Sequence, residues 1–72
     1  MNSSEIARLQ RYLREKFANP HFRLKRRSTT DDSVEVYLGE EFIGVIYRDE
    51  EEGELSYAFQ MAILEMDLPE EG

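Results

Sequence analysis

The sequence predicts an α+β domain in which an N-terminal helix packs on a four-stranded antiparallel β-meander. Apolar residues recur with a helical period in the first quarter of the chain and with a period of two afterwards, which indicates one helix followed by strands. A Gly-Glu dipeptide between two alternating segments is typical of a tight hairpin turn. The chain has 72 residues, so we expect residues 1–72 to form one small domain.

The first element is an amphipathic helix over residues 3–18. Its apolar stripe, spaced i, i+3, i+7 and i+11, consists of Ile6, Leu9, Leu13 and Phe17. Asn2 or Ser3 can cap the helix, and Glu5 lies three residues after Asn2, as a capping box requires. Pro20 ends the helix, because the residue before a proline is driven out of the helical conformation.

Three strands follow, over residues 21–27, 34–38 and 42–48. Gly39 and Glu40 form a two-residue type II′ turn between the second and the third strand. In the register that this turn sets, the core face carries Val34, Val36, Leu38, Ile43, Val45 and Tyr47. The opposite face carries Tyr37, Phe42 and Ile46. A slip of one residue would exchange the two faces.

The last predicted element is a long strand over residues 55–67, which follows the acidic turn Asp49–Glu54. Its apolar residues alternate in one phase up to Ile63 and in the other phase from Leu64, which predicts a bulge between them. The alternative is a helix over residues 57–66, since several residues there are good helix formers. The order of elements would then be α-β-β-β-α.

Composition excludes several classes of site. The chain has no cysteine and a single histidine, His21, so we expect neither a disulfide nor a zinc site with the usual ligands. It lacks a nucleophile elbow and a glycine-rich phosphate loop, so we expect no cofactor, no catalytic residues and no enzymatic activity. No apolar run reaches the ~18–20 residues of a membrane span, and no signal peptide is visible, which makes the cytoplasm the expected location.

Charge is divided unevenly along this acidic chain. Residues 1–30 have a balance of +6 and residues 31–72 a balance of −13, which together give the net charge of −7. One basic cluster could neutralise phosphates, and it consists of Arg23, Lys25, Arg26 and Arg27. The acidic surplus in the same small domain repels nucleic acid, so this alternative function is limited to weak, non-specific binding.

The main functional hypothesis concerns the face of the sheet that one helix cannot cover. Tyr37, Phe42 and Ile46 would be exposed there, and exposed apolar clusters often mark protein contacts. A domain of this size also gains stability from a partner subunit. We therefore predict a small protein-interaction module that uses this uncovered face or an exposed edge of the sheet, and whose partner is an unidentified protein or a second copy of the chain.

Three segments carry a resemblance that spans nearly the whole chain. They read Glu-Ile-Ala-Arg-Leu-Gln-Arg-Tyr-Leu-Arg, Val-Glu-Val-Tyr-Leu-Gly-Glu-Glu-Phe-Ile-Gly-Val-Ile-Tyr and Tyr-Ala-Phe-Gln-Met-Ala-Ile-Leu-Glu-Met-Asp-Leu. The sequence resembles a small bacterial family of uncharacterised proteins, a domain of unknown function. The resemblance implies a bacterial, stand-alone domain and no catalytic residues, since the family has no assigned activity.

Overall fold

The structure is a computed structural model that describes residues 1–27 and 31–71. Its main elements are α1 (Ser3–Lys16), β1 (Phe22–Arg26), β2 (Ser33–Leu38), β3 (Glu41–Asp49) and β4 (Ser56–Met61). The strands pair in chain order as one antiparallel sheet, which confirms the predicted α+β arrangement. Single 3₁₀ turns follow β3 and β4, at Glu51–Gly53 and Glu65–Asp67. The helical alternative for residues 57–66 is wrong, because the first half of that segment pairs with β3.

The helix begins as its sequence predicts. The side chain of Asn2 accepts a hydrogen bond from the Glu5 amide at 2.7 Å, and the Glu5 carboxylate accepts one from the Asn2 amide at 3.2 Å. These two reciprocal bonds form the capping box, and they satisfy backbone donors that have no partner within the helix.

The helix ends at Lys16, earlier than the predicted residue 18. The amides of Ala18 and Asn19 donate back to carbonyls of the last helical turn, which makes a Schellman motif. Ala18 occupies the left-handed position of that motif, with φ +49°. The motif reverses the chain before Pro20, so the proline follows the end of the helix without causing it.

The hairpin between β2 and β3 has the predicted turn. Gly39 has φ +64° and Glu40 has a negative φ, as a type II′ turn requires. Tyr37 pairs with Phe42 beside the turn, in the predicted register. The first three strands all lie within one residue of their predicted bounds.

An extra residue in β3 changes the register beyond the turn. Ile43 has no partner in the β2–β3 ladder, and Val36 pairs with Gly44. Because side chains alternate along a strand, one inserted residue exchanges the faces of all that follow. Ile46 therefore points into the core, where only 2% of it is exposed. Its predicted place on the uncovered face is wrong.

The same bulge moves predicted core residues in the opposite direction. Val45 and Tyr47 leave the core for the face away from the helix, and Tyr47 is 39% exposed. Ile43, at the bulge itself, is half-buried against the edge of the core. The predicted bulge after Ile63 is also wrong, because β4 has already ended at Met61.

The core lies between α1 and the sheet. Its buried apolar residues are Leu13, Phe22, Val34, Val36 and Ile46. Phe17, although mostly exposed, stacks on Phe22 with the ring centroids 5.3 Å apart. Arg14 Nε donates to the Phe22 carbonyl at 2.8 Å, which holds α1 against β1. The opposite face of the sheet stays outside this core.

Beyond β4 the chain continues as a segment that we call the arm, residues 62–71. The arm contains the 3₁₀ turn Glu65–Asp67 and no further strand. Its large apolar side chains, each 54–85% exposed, are Ile63, Leu64, Met66 and Leu68. The molecule measures 47 × 25 × 24 Å, so it is markedly elongated.

Candidate protein-interaction surface

The sheet face that points away from α1, which we call the open face, carries an apolar surface. It consists of Tyr37, Phe42, Val45 and Tyr47. The rings of Tyr37 and Phe42 meet edge to face with centroids 5.6 Å apart, and Phe42 is 51% exposed. Of the three predicted interaction residues, Tyr37 and Phe42 therefore lie together, whereas Ile46 lies on the other side of the sheet.

A polar contact holds the Tyr37 ring in position. Its hydroxyl donates to Oε1 of Glu35 at 3.1 Å, along the same strand. This hydrogen bond raises the pKa of the Tyr37 phenol above its ordinary value. The ring is therefore held at both ends, by Glu35 at the hydroxyl and by Phe42 at the edge. A side chain ordered in advance loses less conformational entropy when a partner covers it.

The open face continues into a groove beside the start of the arm. The groove has a volume of about 920 Å³ and is open to solvent along its length. Its apolar walls include Phe42, Val45, Tyr47, Met61, Ile63 and Leu64. β3 and β4 thus form one wall, and the first residues of the arm form the other. The lining is mostly apolar, which suits an apolar side chain better than a charged ligand.

The basic cluster of the predicted nucleic-acid site is split between the two faces of the sheet. Arg26 reaches the helix side, where its guanidinium donates to the Met1 carbonyl at 2.8 Å and to Ser3 Oγ at 3.0 Å. Arg27 lies within 3.4 Å of Ser33 Oγ. Both guanidinium groups are engaged within the fold, where they help to join α1, β1 and β2.

The other two bases of that cluster lie on the open face. Arg23 pairs with Tyr37 and Lys25 with Glu35 across the β1–β2 ladder. Together with Glu40 they border a hollow of about 360 Å³ at the β1 end of the face. Two bases beside two carboxylates do not make the continuous phosphate-binding surface that the nucleic-acid alternative needs.

A polar cluster that the sequence did not reveal joins α1 to β3 and β4. The Glu5 carboxylate is 11% exposed and accepts a hydrogen bond from the Tyr57 hydroxyl at 2.6 Å. Nη1 of Arg48 lies 3.5 Å from the same carboxylate. The Tyr57 hydroxyl and then the Asn2 amide hold the pKa of Glu5 below its usual value, and the same Tyr57 bond raises the pKa of Tyr57. The cluster fixes β4 against the start of the helix.

The described part of the chain holds no group of three metal-ligating side chains close enough to bind an ion. His21 is exposed and lies in the turn directly before β1. Among the described residues, no helix has the length and apolar character needed to cross a membrane.

Comparison with known families gives a match over most of the chain. Residues 5–67 match the family described as Protein of unknown function (DUF3126). The matched segment runs from the first turn of α1 through the whole sheet to the 3₁₀ turn of the arm. No curated protein and no solved structure matches the chain. The chain belongs to the DUF3126 family, whose function is unknown.

Proposed function

We propose that this protein is a cytoplasmic interaction module that pairs with a second copy of itself through the open face, acting by binding and not by catalysis. One observation carries the proposal. Phe42 and Tyr47 are exposed on the sheet face that α1 leaves uncovered, and the half-buried Tyr37 and Val45 lie on the same face. Exposed apolar patches of this kind, bordered by charge, mark protein contacts in soluble proteins.

The small size of the domain favours such a contact, because the contact adds stability. A chain of about this length buries only ~60% of its unfolded surface, which leaves its stability marginal. Each Å² of apolar surface that a partner removes from water contributes about 25 cal/mol. The aromatic rings of the open face supply large contact areas with few rotatable bonds. A two-fold axis lets the same patch serve both copies, as in most homodimers.

A charge placed in the centre of the open face tests the proposal. We expect sedimentation equilibrium to show a dimer for the native chain and a monomer for Phe42→Glu, with the same far-ultraviolet circular dichroism. Tyr12→Glu is the matched control, because Tyr12 is 58% exposed but lies on α1, on the other side of the sheet. That control should remain dimeric. A native chain that stays monomeric at high concentration and moderate salt would rule out self-association.

A further inference from the structure

We propose that the groove beside the open face is occupied by the arm of a second copy, so that two chains exchange their arms reciprocally. The inference rests on the proposed self-association and specifies which segment of the partner covers the face. It is based on how the apolar and charged side chains of the arm match those of the open face that the arm would cross.

The arm is the least buried apolar segment among the described residues. Met66 is 85% exposed, and Ile63, Leu64 and Leu68 are each more than half exposed. A single exposed leucine is ordinary, but four large apolar side chains within six residues form a patch that favours burial. The arm therefore needs an apolar surface that its own chain does not provide.

Within one chain, the arm contributes only part of its apolar surface to the groove. Ile63 and Leu64 form part of the groove wall, whereas Met66 and Leu68 lie outside it. The arm of the same chain thus borders the groove and leaves it open. An identical arm entering from a second copy would bring the apolar side chains that its open volume lacks.

Charge follows the same order on both surfaces. Across the open face, the mostly apolar groove at β3 and β4 gives way to Arg23 and Lys25 on β1, whose neighbours include Glu35 and Glu40. Along the arm, Glu65 and Asp67 alternate with the apolar residues up to Leu68, and two further acids, Glu70 and Glu71, follow at its end. A partner arm laid from β4 towards β1 would set apolar side chains on the groove and acids beside the two bases.

The arm is also long enough for this path. The sheet has three gaps between strands at about 4.8 Å each, which gives a width of about 14 Å. Extended chain covers about 3.3 Å per residue and a 3₁₀ turn about 2 Å per residue, so the segment from Ile63 to Glu70 spans about 19 Å with its turn Glu65–Asp67 kept. The acids can therefore reach β1 while the apolar residues remain in the groove.

The two edges of the sheet indicate which side receives the partner. At the β1 edge, the Leu24 amide donates to Oε1 of Gln10 at 3.0 Å, and the strand carries basic side chains. Both features block the addition of another chain. The β4 edge, Ser56–Met61, carries no charged residue. The arm leaves the sheet at this unprotected β4 edge. When each arm crosses from there to the open face of the other copy, both arms lie in the same interface and the dimer is closed.

The test uses the full-length chain with two substitutions in the arm, Met66→Asp together with Leu68→Asp. Both side chains are exposed in the single chain, so we expect the variant to keep the native circular dichroism and melting curve when dilute. Its dimer should be weakened by about tenfold or more, because two apolar contacts are replaced by charge. Leu55→Asp is the control, since Leu55 is 51% exposed but lies outside the arm and the groove.

A second measurement locates the arm directly. The chain has no cysteine, so Met66→Cys can carry a single nitroxide label. Mixed with an unlabelled, ¹⁵N-enriched native chain, the label should broaden the amide signals of Tyr37 and Phe42 in that second chain. The same label at Tyr12→Cys should leave those signals sharp.

The outcomes separate this inference from the proposed function. A double arm variant that dimerises like the native chain, while Phe42→Glu is monomeric, would overturn arm exchange and leave the proposed function standing. Broadening confined to residues of α1 in the mixed sample would also overturn arm exchange. A native chain that remains monomeric in every measurement would overturn both proposals.

Discussion

The carboxylate of Glu5 has two hydrogen-bond partners that lie far apart in the sequence. It accepts hydrogen bonds from the backbone of Asn2 and from the hydroxyl of Tyr57, 52 positions away. Its first role was predictable from the spacing to Asn2. Its second role was not, because it depends on which face of β4 meets the helix, and that follows from the register of β3.

The Glu5–Tyr57 bond should shape stability on both sides of neutrality. The lowered pKa of Glu5 contributes stability that is complete above its usual pKa of 4.5 and is lost as pH falls through the folded-state value. The raised pKa of Tyr57 contributes stability that is complete below pH 10 and is lost as pH rises through its folded-state value. One hydrogen bond thus gives an acid limb and an alkaline limb.

Tyr57→Phe tests this account by removing the hydroxyl and keeping the ring. We expect a lower melting temperature at neutral pH and a flatter profile from below pH 4.5 to above pH 10. Tyr12→Phe, which removes an exposed hydroxyl from α1, serves as the control. Identical pH profiles for Tyr57→Phe and the native chain would show that the bond contributes nothing to stability.

Ala18 is the one non-glycine residue with a positive φ in the described part of the chain, at +49°. A left-handed conformation costs an L-residue with a Cβ about 1–2 kcal/mol, and glycine avoids that cost. Ala18→Gly should therefore raise the free energy of unfolding by about 0.5–1 kcal/mol, measured by chemical denaturation.

The control for Ala18→Gly is the same change within the helix. Ala7 is exposed in the interior of α1, where glycine is about 1 kcal/mol less favourable than alanine. Ala7→Gly should therefore destabilise the protein. If both changes destabilise it, the left-handed conformation of Ala18 imposes no cost that glycine relieves.

At the scale of elements, the bulge in β3 decides the two faces of the sheet. Residues 42–47 are apolar in both alternating phases, interrupted only by Gly44, so the pattern does not mark where an extra residue is inserted. The helix, the strands and the type II′ turn could be predicted from period and turn chemistry. The face of Ile46 could not be predicted, because it depends on the bulge at Ile43.

Gly44 lies directly after the bulge, where the backbone of β3 approaches β4 closely. A Cβ at this position would lie 2.4 Å from the Gln60 carbonyl oxygen and 2.7 Å from the Phe59 ring. The carbonyl belongs to the backbone, so it cannot move away without disturbing the pairing of the two strands.

Gly44→Ala should therefore destabilise the protein by about 1–3 kcal/mol, the range for overpacking. We expect hydrogen exchange to quicken most at the β3–β4 amides. Ser56→Ala, an exposed change on the same ladder, is the control and should leave exchange as in the native chain. Unchanged stability in Gly44→Ala would mean that the two strands can separate at no cost.

The extent of β4 was predicted poorly for a related reason. Apolar residues continue beyond Met61 through Leu68, and a sequence pattern does not distinguish a strand that pairs within the sheet from an apolar segment that leaves it. The existence of an open face was predicted, because a single helix can cover only one face of the sheet. Its extension into a groove beside the arm required the structure.

At the scale of the whole molecule, charge opposes association while apolar surface favours it. Each copy carries a net charge of −7, so two copies repel each other at long range. Added salt screens this repulsion, with a Debye length of about 8 Å at physiological ionic strength. We therefore expect the dissociation constant from sedimentation to fall as sodium chloride is raised from low to physiological concentration. A constant that rises with salt would indicate that ion pairs between the copies dominate the contact.

The most direct test of self-association through the open face is a dilution series followed by ¹⁵N–¹H correlation spectra of the native chain. Amide shifts of Tyr37, Phe42, Val45 and Tyr47 should change together with concentration along a single binding curve. Amides on the outer side of α1, such as that of Arg11, should stay in place. Shifts that remain constant across the series, or that change only on α1, would contradict the account.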